Sequence, residues 1–334
     1  MVRMDWFHSD PANMQISVLA LDGAFDTGLA AVMDAFATAN ELAQMQGLAS
    51  LRFDARLVGL RQRVKTALGL SVPVVPAGRL KSPDWIVVPA LGTKMPGPLV
   101  QAMERPDVRE AAAALRQWHA GGARIAAACI GTFVLGESGL LDGQRATTTW
   151  WLAPLFRQRY PQVRLEDSRM LVHSGGFLTS GAALGHLDLA LALVRQASPE
   201  LAALTARYLV VDPRASQSAY AIPDHLAHTD PLVERFEAWA RGRLDQGFSL
   251  DDAASALATS KRTLARRMNV VLGKSPLSYF QDLRVERAVH LLKTSPQNLD
   301  RIAEQVGYAD GLTLGTLLRR RLGKGVRELR NTAP

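Results

Sequence analysis

The sequence predicts a chain in two parts: an N-terminal α/β unit with a mainly parallel sheet sandwiched by helices, then a C-terminal all-α unit with two helix-turn-helix elements. Three observations predict it. Apolar strand-like runs alternate with amphipathic helical stretches from residue 15 to about 196, and such alternation places crossover helices over a parallel sheet. The last hundred residues replace that alternation with short helical patterns joined by tight turns. Charge divides the same way: residues 232–334 hold 18 Lys+Arg against 11 Asp+Glu, a net of +7, whereas residues 1–231 hold 21 against 20, a net of +1.

Composition bounds the answer further. With 334 residues and 48% hydrophobic content, the chain can fill two cores. It has no run of eighteen or more uncharged apolar residues, so no membrane-spanning helix and no membrane partner are expected. The stretch from Met1 to Pro11 lacks the apolar run of a signal peptide. A single cysteine, Cys129, excludes an intramolecular disulfide and suits a reducing cytoplasm, where the chain is expected to reside.

In the N-terminal part, Ile16–Leu21 reads as a strand leading to a helix from about Leu29 to Met45. Phe53–Leu60, Trp85–Val88 and Ile125–Ala128 read as buried strands. Helices are expected near Val108–Ala120, Thr132–Glu137, Trp151–Tyr160 and Leu184–Gln196, and Leu171–His173 with Phe177–Thr179 flank a Gly175-Gly176 hairpin. Ligands of such sheets bind beyond the C-terminal strand ends. Those ends carry Leu21-Asp-Gly23, Pro89-Ala-Leu-Gly-Thr93 and Cys129-Ile-Gly131. Cys129 stands between a buried strand and a helix, with Gly131 permitting a tight turn, the geometry of a nucleophile elbow.

In the C-terminal part, Ser249 caps a helix with Asp251 and Asp252 at its positive end, and Ala253, Ala254 and Leu257 form its apolar face. Thr259-Ser260 interrupts the pattern and caps a second helix from about Lys261. Along that helix Leu264, Met268, Val271 and Leu272 face inward by their spacing, while Arg262, Arg266 and Asn269 share another face. A short helix, a turn and a second helix with outward basic groups fit a DNA major groove. Pro276 opens a long helix from about Leu277 to Lys293, with Leu283, Ala288, Leu291 and Leu292 buried. A second unit follows: Ile302, Ala303 and Val306 pack, Gly307-Tyr308 turns, and a helix from Gly311 ends in Arg319-Arg320-Arg321. Its outward groups are mostly Gly311, Thr313, Gly315 and Thr316, and its arginines suit phosphate contact, which positions without specifying. The two candidate reading helices begin about fifty residues apart, and a stiff connector would hold them at the roughly 34 Å that separates successive major grooves on one DNA face.

Residues 232–330 resemble the DNA-binding domain of the AraC family, on Gly-Lys-Ser-Pro at 273–276 and Ala-Glu-Gln-Val-Gly-Tyr at 303–308. The resemblance implies a sequence-specific transcription regulator. Its DNA contacts would be Ser260, Lys261, Arg262, Thr263, Arg266 and Arg267 in the first unit, and Gly311, Thr313, Thr316, Arg319 and Arg320 in the second. The chain departs from the family where it reads Leu314-Gly-Thr-Leu-Leu318, with Thr316 in place of a usual arginine, and Gly325-Val326 in place of a second Ser-Pro. Residues 14–200 resemble the class I glutamine amidotransferase-like domain of the PfpI superfamily (a flavodoxin-like fold), on the stretches Ala126–Thr149 and Thr179–Val194. The resemblance implies a sensor and dimerisation domain, a linker over 201–231, and the DNA-binding domain over 232–330.

Enzymes of that superfamily supply Cys129 with a base. Here Thr149 stands where related regulators often carry histidine, and the acidic residue found soon after the first strand falls at Gly28, with Asp26 nearby. A cysteine nucleophile needs a base held by a third group; His173 or His186 could fold near the elbow, but no sequence signal places either there. Cys129 is therefore read as an inert or pocket-wall residue. The alternative is a thiol-dependent amidase or hydrolase with an attached DNA-binding domain. Trp150-Trp151 reads as a core pair or as a pocket wall for a cation. His225 and His228 have metal-like spacing but no further ligands, and Gly121-Gly122 ends a helix rather than cradling phosphate.

The expected function is a non-enzymatic regulator, by resemblance an activator of catabolic genes, without cofactor or metal. Its partners are double-stranded DNA, a second copy of the chain, RNA polymerase, and a small-molecule effector bound near Asp22, Gly92, Cys129, Ile130, Thr149 and Trp150.

Overall fold

The computed structural model describes residues 13–48, 50–79, 83–212, 214, 216, 217, 230–323 and 325–331. It forms two compact units, Met1–Gln217 and Ser218–Pro334. His225 and His228 lie outside the described residues.

In the first unit the strands β1 (Asn13–Ala20), β2 (Arg52–Gly59), β5 (Val75–Pro76), β6 (Trp85–Val88), β7 (Arg124–Ala128), β10 (Leu171–Ser174) and β11 (Phe177–Ser180) build one sheet in the order β10-β11-β7-β6-β1-β2-β5. Every pairing is parallel except the edge hairpin β10–β11. The alternation in the sequence is the cause, because each parallel return needs a crossover and each crossover covers a face. Strand order reverses between β1 and β6, so the crevice at their C-terminal ends is the topological switch point.

The two faces divide the strand residues by parity. Leu19, Ile86, Val88, Ile125, Ala127 and Cys129 enter one core, and Val18, Ala20, Trp85, Val87, Ala126 and Ala128 enter the other. The first core lies beneath α3 (Pro106–Ala120), α4 (Gly131–Glu137) and α5 (Ala153–Arg159). There Phe133 and Phe156 meet edge to face at 5.0 Å, each ring fully buried. The second core lies beneath α1 (Asp26–Met45), α6 (Gly185–Ala197) and α7 (Pro199–Tyr208).

Several elements were not legible in the sequence. Helix α2 (Pro96–Met103) begins Met-Pro-Gly-Pro, a turn signal in sequence, yet Pro is at home in a first helical turn because its missing N–H has no partner to lose. The short strands β3 (Arg63–Lys65) and β4 (Ser71–Pro73) form a hairpin outside the main sheet, and β8 (Arg145–Ala146) pairs with β9 (Arg164–Leu165). Helix α7 overlaps the start of the segment 201–231 expected as linker, and it buries Leu201 and Ala202 in the first unit. The helix expected at Trp151–Tyr160 divides into a 3-10 turn at Trp150–Leu152 followed by α5.

The second unit comprises α8 (Pro231–Arg241), α9 (Leu250–Ala256), α10 (Lys261–Leu272), α11 (Pro276–Thr294), α12 (Leu299–Gln305), α13 (Gly311–Leu322) and α14 (Val326–Asn331). Side-chain caps set the starts. Ser249 accepts from the Asp252 amide at 3.2 Å, Ser260 from Thr263 at 3.0 Å, Ser275 from Ser278 at 3.2 Å, Asn298 from Arg301 at 2.9 Å and Asp310 from Thr313 at 2.7 Å. Left-handed glycines, Gly273 and Gly323, end the two candidate reading helices. The expected inward sets are buried: Leu264, Met268, Val271 and Leu272 on α10, Leu283, Ala288, Leu291 and Leu292 on α11, and Ile302, Ala303 and Val306 at the second unit.

Arg284 of α11 joins the two helix-turn-helix elements. Its side chain is buried. Nε donates to the Leu244 carbonyl at 2.9 Å, and an Nη donates to the Gln246 carbonyl, both in the loop before α9. The guanidinium lies 4.8 Å from the Phe280 ring centroid and 5.1 Å from that of Tyr308. Gly307, at φ +74°, admits it, since a Cβ there would fall 2.1 Å from the arginine nitrogen. Arg284→Met would leave two buried carbonyls without donors, a loss of about 3 kcal/mol. The expected outcome is roughly hundredfold faster amide exchange in α11 and α12, read by hydrogen-exchange mass spectrometry, with the first unit unchanged.

Candidate functional site

The strand ends of the first unit are drawn together by backbone contacts. The Phe25 amide donates to the Ala90 carbonyl at 2.8 Å and the Gly92 amide to the Gly23 carbonyl at 2.8 Å. The loop after β3 closes over them: the Asp22 carboxylate accepts from the Lys65 amide at 2.9 Å, and a Cβ on Gly92 would fall 2.2 Å from that of Ala67. Asp22 and Gly92 therefore form one corner, where one Asp22 carboxylate oxygen and the Gly92 amide are engaged within the protein.

Cys129, Ile130, Thr149 and Trp150 form the other corner. Cys129 has φ +55°, unusual for a side-chain-bearing residue, and its amide donates to the Ser180 carbonyl at 2.8 Å. Gly131 is required by close approach, since a Cβ would meet the Val88 carbonyl oxygen at 2.1 Å. The elbow expected from the sequence is present. The thiol, however, is buried, and desolvation pushes its pKa up to about 12 against the smaller lowering influences of the Ile130 amide and the Thr149 hydroxyl. Thr149 lies beside the sulfur without closing a well-formed hydrogen bond.

Among the described residues no histidine or carboxylate is hydrogen-bonded to the thiol. His186 sits at the strand ends in the space beside Gly28, where a Cβ would lie 2.5 Å from its Nε2. That Nε2 accepts from the Ala90 amide at 3.0 Å. Nδ1 must then donate to the Ala183 carbonyl at 2.6 Å, so both nitrogens are occupied. Burial lowers its pKa to about 4. His173 stands on the edge strand β10, and Asp26 is turned to the Leu68 amide at 3.0 Å. Trp150 and Trp151 meet edge to face at 5.5 Å, with the Trp151 indole donating to the Lys94 carbonyl at 3.1 Å. Among the described residues no cluster of His, Cys, Asp or Glu is poised for a metal, and no helix is long and apolar enough to cross a membrane.

In the second unit, α10 exposes Lys261, Arg262, Arg266, Arg267 and Asn269. They are not equivalent. Among the described residues Arg262 and Arg266 form no ion pair. Lys261 pairs with Asp251 at 2.8 Å, both largely exposed, and such a pair is worth little and exchanges readily for phosphate. Arg267 is held by buried Asp230, the N-cap of α8, which fixes it to the scaffold. Ser260 and Thr263 are joined by the cap itself.

On α13, Gly311 is buried, and its amide donates to Asp300 at 2.8 Å. It is a packing glycine that presents no group outward. Thr313, Thr316, Arg319 and Arg320 are exposed. Leu312, absent from the expected contacts, is 83% exposed. Leu312 and Thr316 form a crest between two grooves of about 730 and 760 Å³, one reaching Gln281 and Arg320, the other Arg319 and Arg327. The sequence hid Leu312, because Leu312, Leu314, Leu317 and Leu318 are equally apolar and only packing shows which face turns out. Gln217, whose buried side chain reaches Thr148 and Trp150, carries no sequence signal at all.

Two tests follow from the elbow. With three pH units between the buried and free thiol, native Cys129 is expected to react with iodoacetamide about a thousandfold more slowly than in the urea-unfolded chain; comparable rates would refute the buried, protonated thiol. The folded pKa of His186 lies below its ordinary 6.5, so its contribution to stability is full above pH 6.5 and is lost as pH falls toward 4. The loss is about 3 kcal/mol at 1.36 kcal/mol per unit. Urea midpoints of the first unit between pH 7 and 4 should show it, and His186→Gln should flatten the dependence.

Residues 253–332 match the family model described as a helix-turn-helix domain. The chain is 28% identical over 222 residues to the HTH-type transcriptional regulator ArgR of Pseudomonas aeruginosa, covering 65% of this chain and 67% of that protein. It is 27% identical over 210 residues to GbdR of the same species, covering 62% and 57%. It is 28% identical over 205 residues to GlxA of Rhizobium meliloti, covering 58% and 61%. The chain thus spans about three-fifths to two-thirds of the length of these relatives. A crystal structure of an AraC family transcriptional regulator from Pseudomonas putida superposes with a TM-score of 0.48 and 23% identity, over 59% of this chain and 99% of that one. Residues 253–332 form an AraC-type helix-turn-helix domain, in a chain whose curated relatives are HTH-type transcriptional regulators.

Proposed function

We propose that the chain is a sequence-specific DNA-binding regulator whose first unit receives a small-molecule effector without transforming it. The observation that carries the reading is the pair of capped helices α10 and α13, each the second helix of a helix-turn-helix joined through α11. On α10, Arg262 and Arg266 are the groups for guanine edges or phosphates, and Lys261 supports them. On α13, Arg319 and Arg320 take phosphate, while Leu312 and Thr316 offer methyl groups suited to the C5-methyl of thymine. Arg267 and Gly311 hold the helices in place.

The buried thiol and the committed His186 support a receptor rather than a hydrolase. The relatives' names support a role in transcription; activation of catabolic genes, contact with RNA polymerase and action as a cytoplasmic homodimer complete the proposal. An effector acts by binding one arrangement of the protein better than another.

Selection of bound sequences from random duplex DNA at near-physiological salt tests this reading. The expected product has two half-elements about one helical turn apart. Arg262→Ala and Arg266→Ala should relax preference in one half-element by about 1–3 kcal/mol per position, and Leu312→Ala should relax a thymine in the other. No enrichment by the wild-type chain would overturn specific recognition.

A further inference from the structure

Gln217 is the last residue of the first compact unit, and its side chain is fully buried, although glutamine seldom is. Its carboxamide occupies a recess at the strand ends. Nε2 donates to the Thr148 carbonyl at 2.7 Å, with the Arg169 carbonyl at 3.2 Å and the Thr147 hydroxyl at 3.3 Å. Oε1 accepts from the Trp150 amide at 3.3 Å. Gly181 gives the room, since a Cβ there would fall 2.3 Å from Nε2. The backbone holds the residue in register: the Gln217 amide donates to the Ser168 carbonyl at 3.0 Å, and the Ser216 hydroxyl donates to the same oxygen at 2.7 Å.

The recess adjoins the elbow. The Thr148 hydroxyl donates to the Cys129 carbonyl at 2.8 Å. Among the described residues the fully buried Ser180 hydroxyl, next to Gly181, has no hydrogen-bond partner, and the buried Thr149 hydroxyl, next to Trp150, faces only the Cys129 thiol. Buried polar groups are ordinarily satisfied, and an orphan in a folded site calls for a missing partner. Cys129 and Ala182, both at positive φ without being glycine, flank the same place, and backbone strain of this kind collects at binding sites.

We infer that this recess is a subsite for a primary carboxamide, and that Gln217 is its built-in occupant. The inference rests on the reading of the first unit as an effector receptor. Three acceptors surround the nitrogen and one donor faces the oxygen, so a neutral amide satisfies the recess. A carboxylate of the same shape would set an oxygen against two carbonyls, and a site built around hydrogen bonds rejects a mismatched analogue strongly. The Thr149 and Ser180 hydroxyls are left for the remainder of a larger ligand. An incoming amide and Gln217 compete for one place, so binding releases the residue at which the first unit ends.

Calorimetric titration of the full-length chain with propionamide, and with propionate as the control, tests this. Gln217→Ala should bind propionamide about tenfold or more tightly than wild type, with no gain for propionate. Gln217→Met, which fills the recess without donors, should stay at the wild-type level. If Gln217→Ala does not fold, Gln217→Glu keeps the size while the two carbonyls expel the charge, and it should show the same gain. Absence of a propionamide gain in the folded variants, or an equal gain for propionate, overturns the subsite. Binding of the selected DNA by the same samples separates the two readings: retained DNA recognition without an amide gain removes the subsite alone. An amide gain in a chain that selects no DNA sequence keeps the subsite and removes the regulator.

Discussion

Arg284 carries a positive charge into the middle of the second unit, where removal from water opposes it by several kcal/mol. The charge is tolerable because two loop carbonyls accept its N–H groups and two aromatic faces lie against its plane. Those four partners come from both halves of the unit: Leu244 and Gln246 before the first helix-turn-helix, Phe280 on the connector, and Tyr308 at the turn of the second. A stiff connector alone would fix the distance between two reading helices. The buried guanidinium also fixes how each half is rotated about it, because a planar donor fork satisfies its acceptors in one orientation. Gly307 follows from this, needed both for its positive φ and for the approach of the arginine.

The two reading helices then differ in chemistry. Helix α10 offers Arg262 and Arg266, which form no ion pair among the described residues, and α13 offers leucine and threonine above a row of arginines. One is suited to hydrogen-bonded base edges, the other to methyl contact and phosphate. Both sit on the same scaffold of serine, asparagine and aspartate caps, so the difference in surface chemistry is carried by a few outward side chains.

In the first unit, desolvation governs. An elbow with a strained cysteine and a glycine turn is the frame of a nucleophile, yet frame and reactivity are separate properties. A thiolate needs a nearby positive group or a base, and here burial prevails while the His186 imidazole has both nitrogens engaged elsewhere. The strained frame is retained around a buried thiol. The same strand ends instead hold a glutamine carboxamide beside the buried hydroxyls of Thr149 and Ser180.

The sequence by itself determined the alternating sheet, the two helix-turn-helix units, the elbow at Cys129 and the basic excess of the second part. Each is written in local signals: period, caps, glycine at tight turns, and charge. It also showed that Thr149 could not serve as a base. Only the tertiary structure decided which equally apolar leucine of α13 faces outward, that Arg267 is tied to Asp230, and that Gly311 serves packing. It likewise placed His186 beside Gly28 and Gln217 against Thr148. These depend on residues 11 to 158 positions apart. A side chain's neighbours at such separations are set by how the elements pack, and a local pattern carries no trace of them.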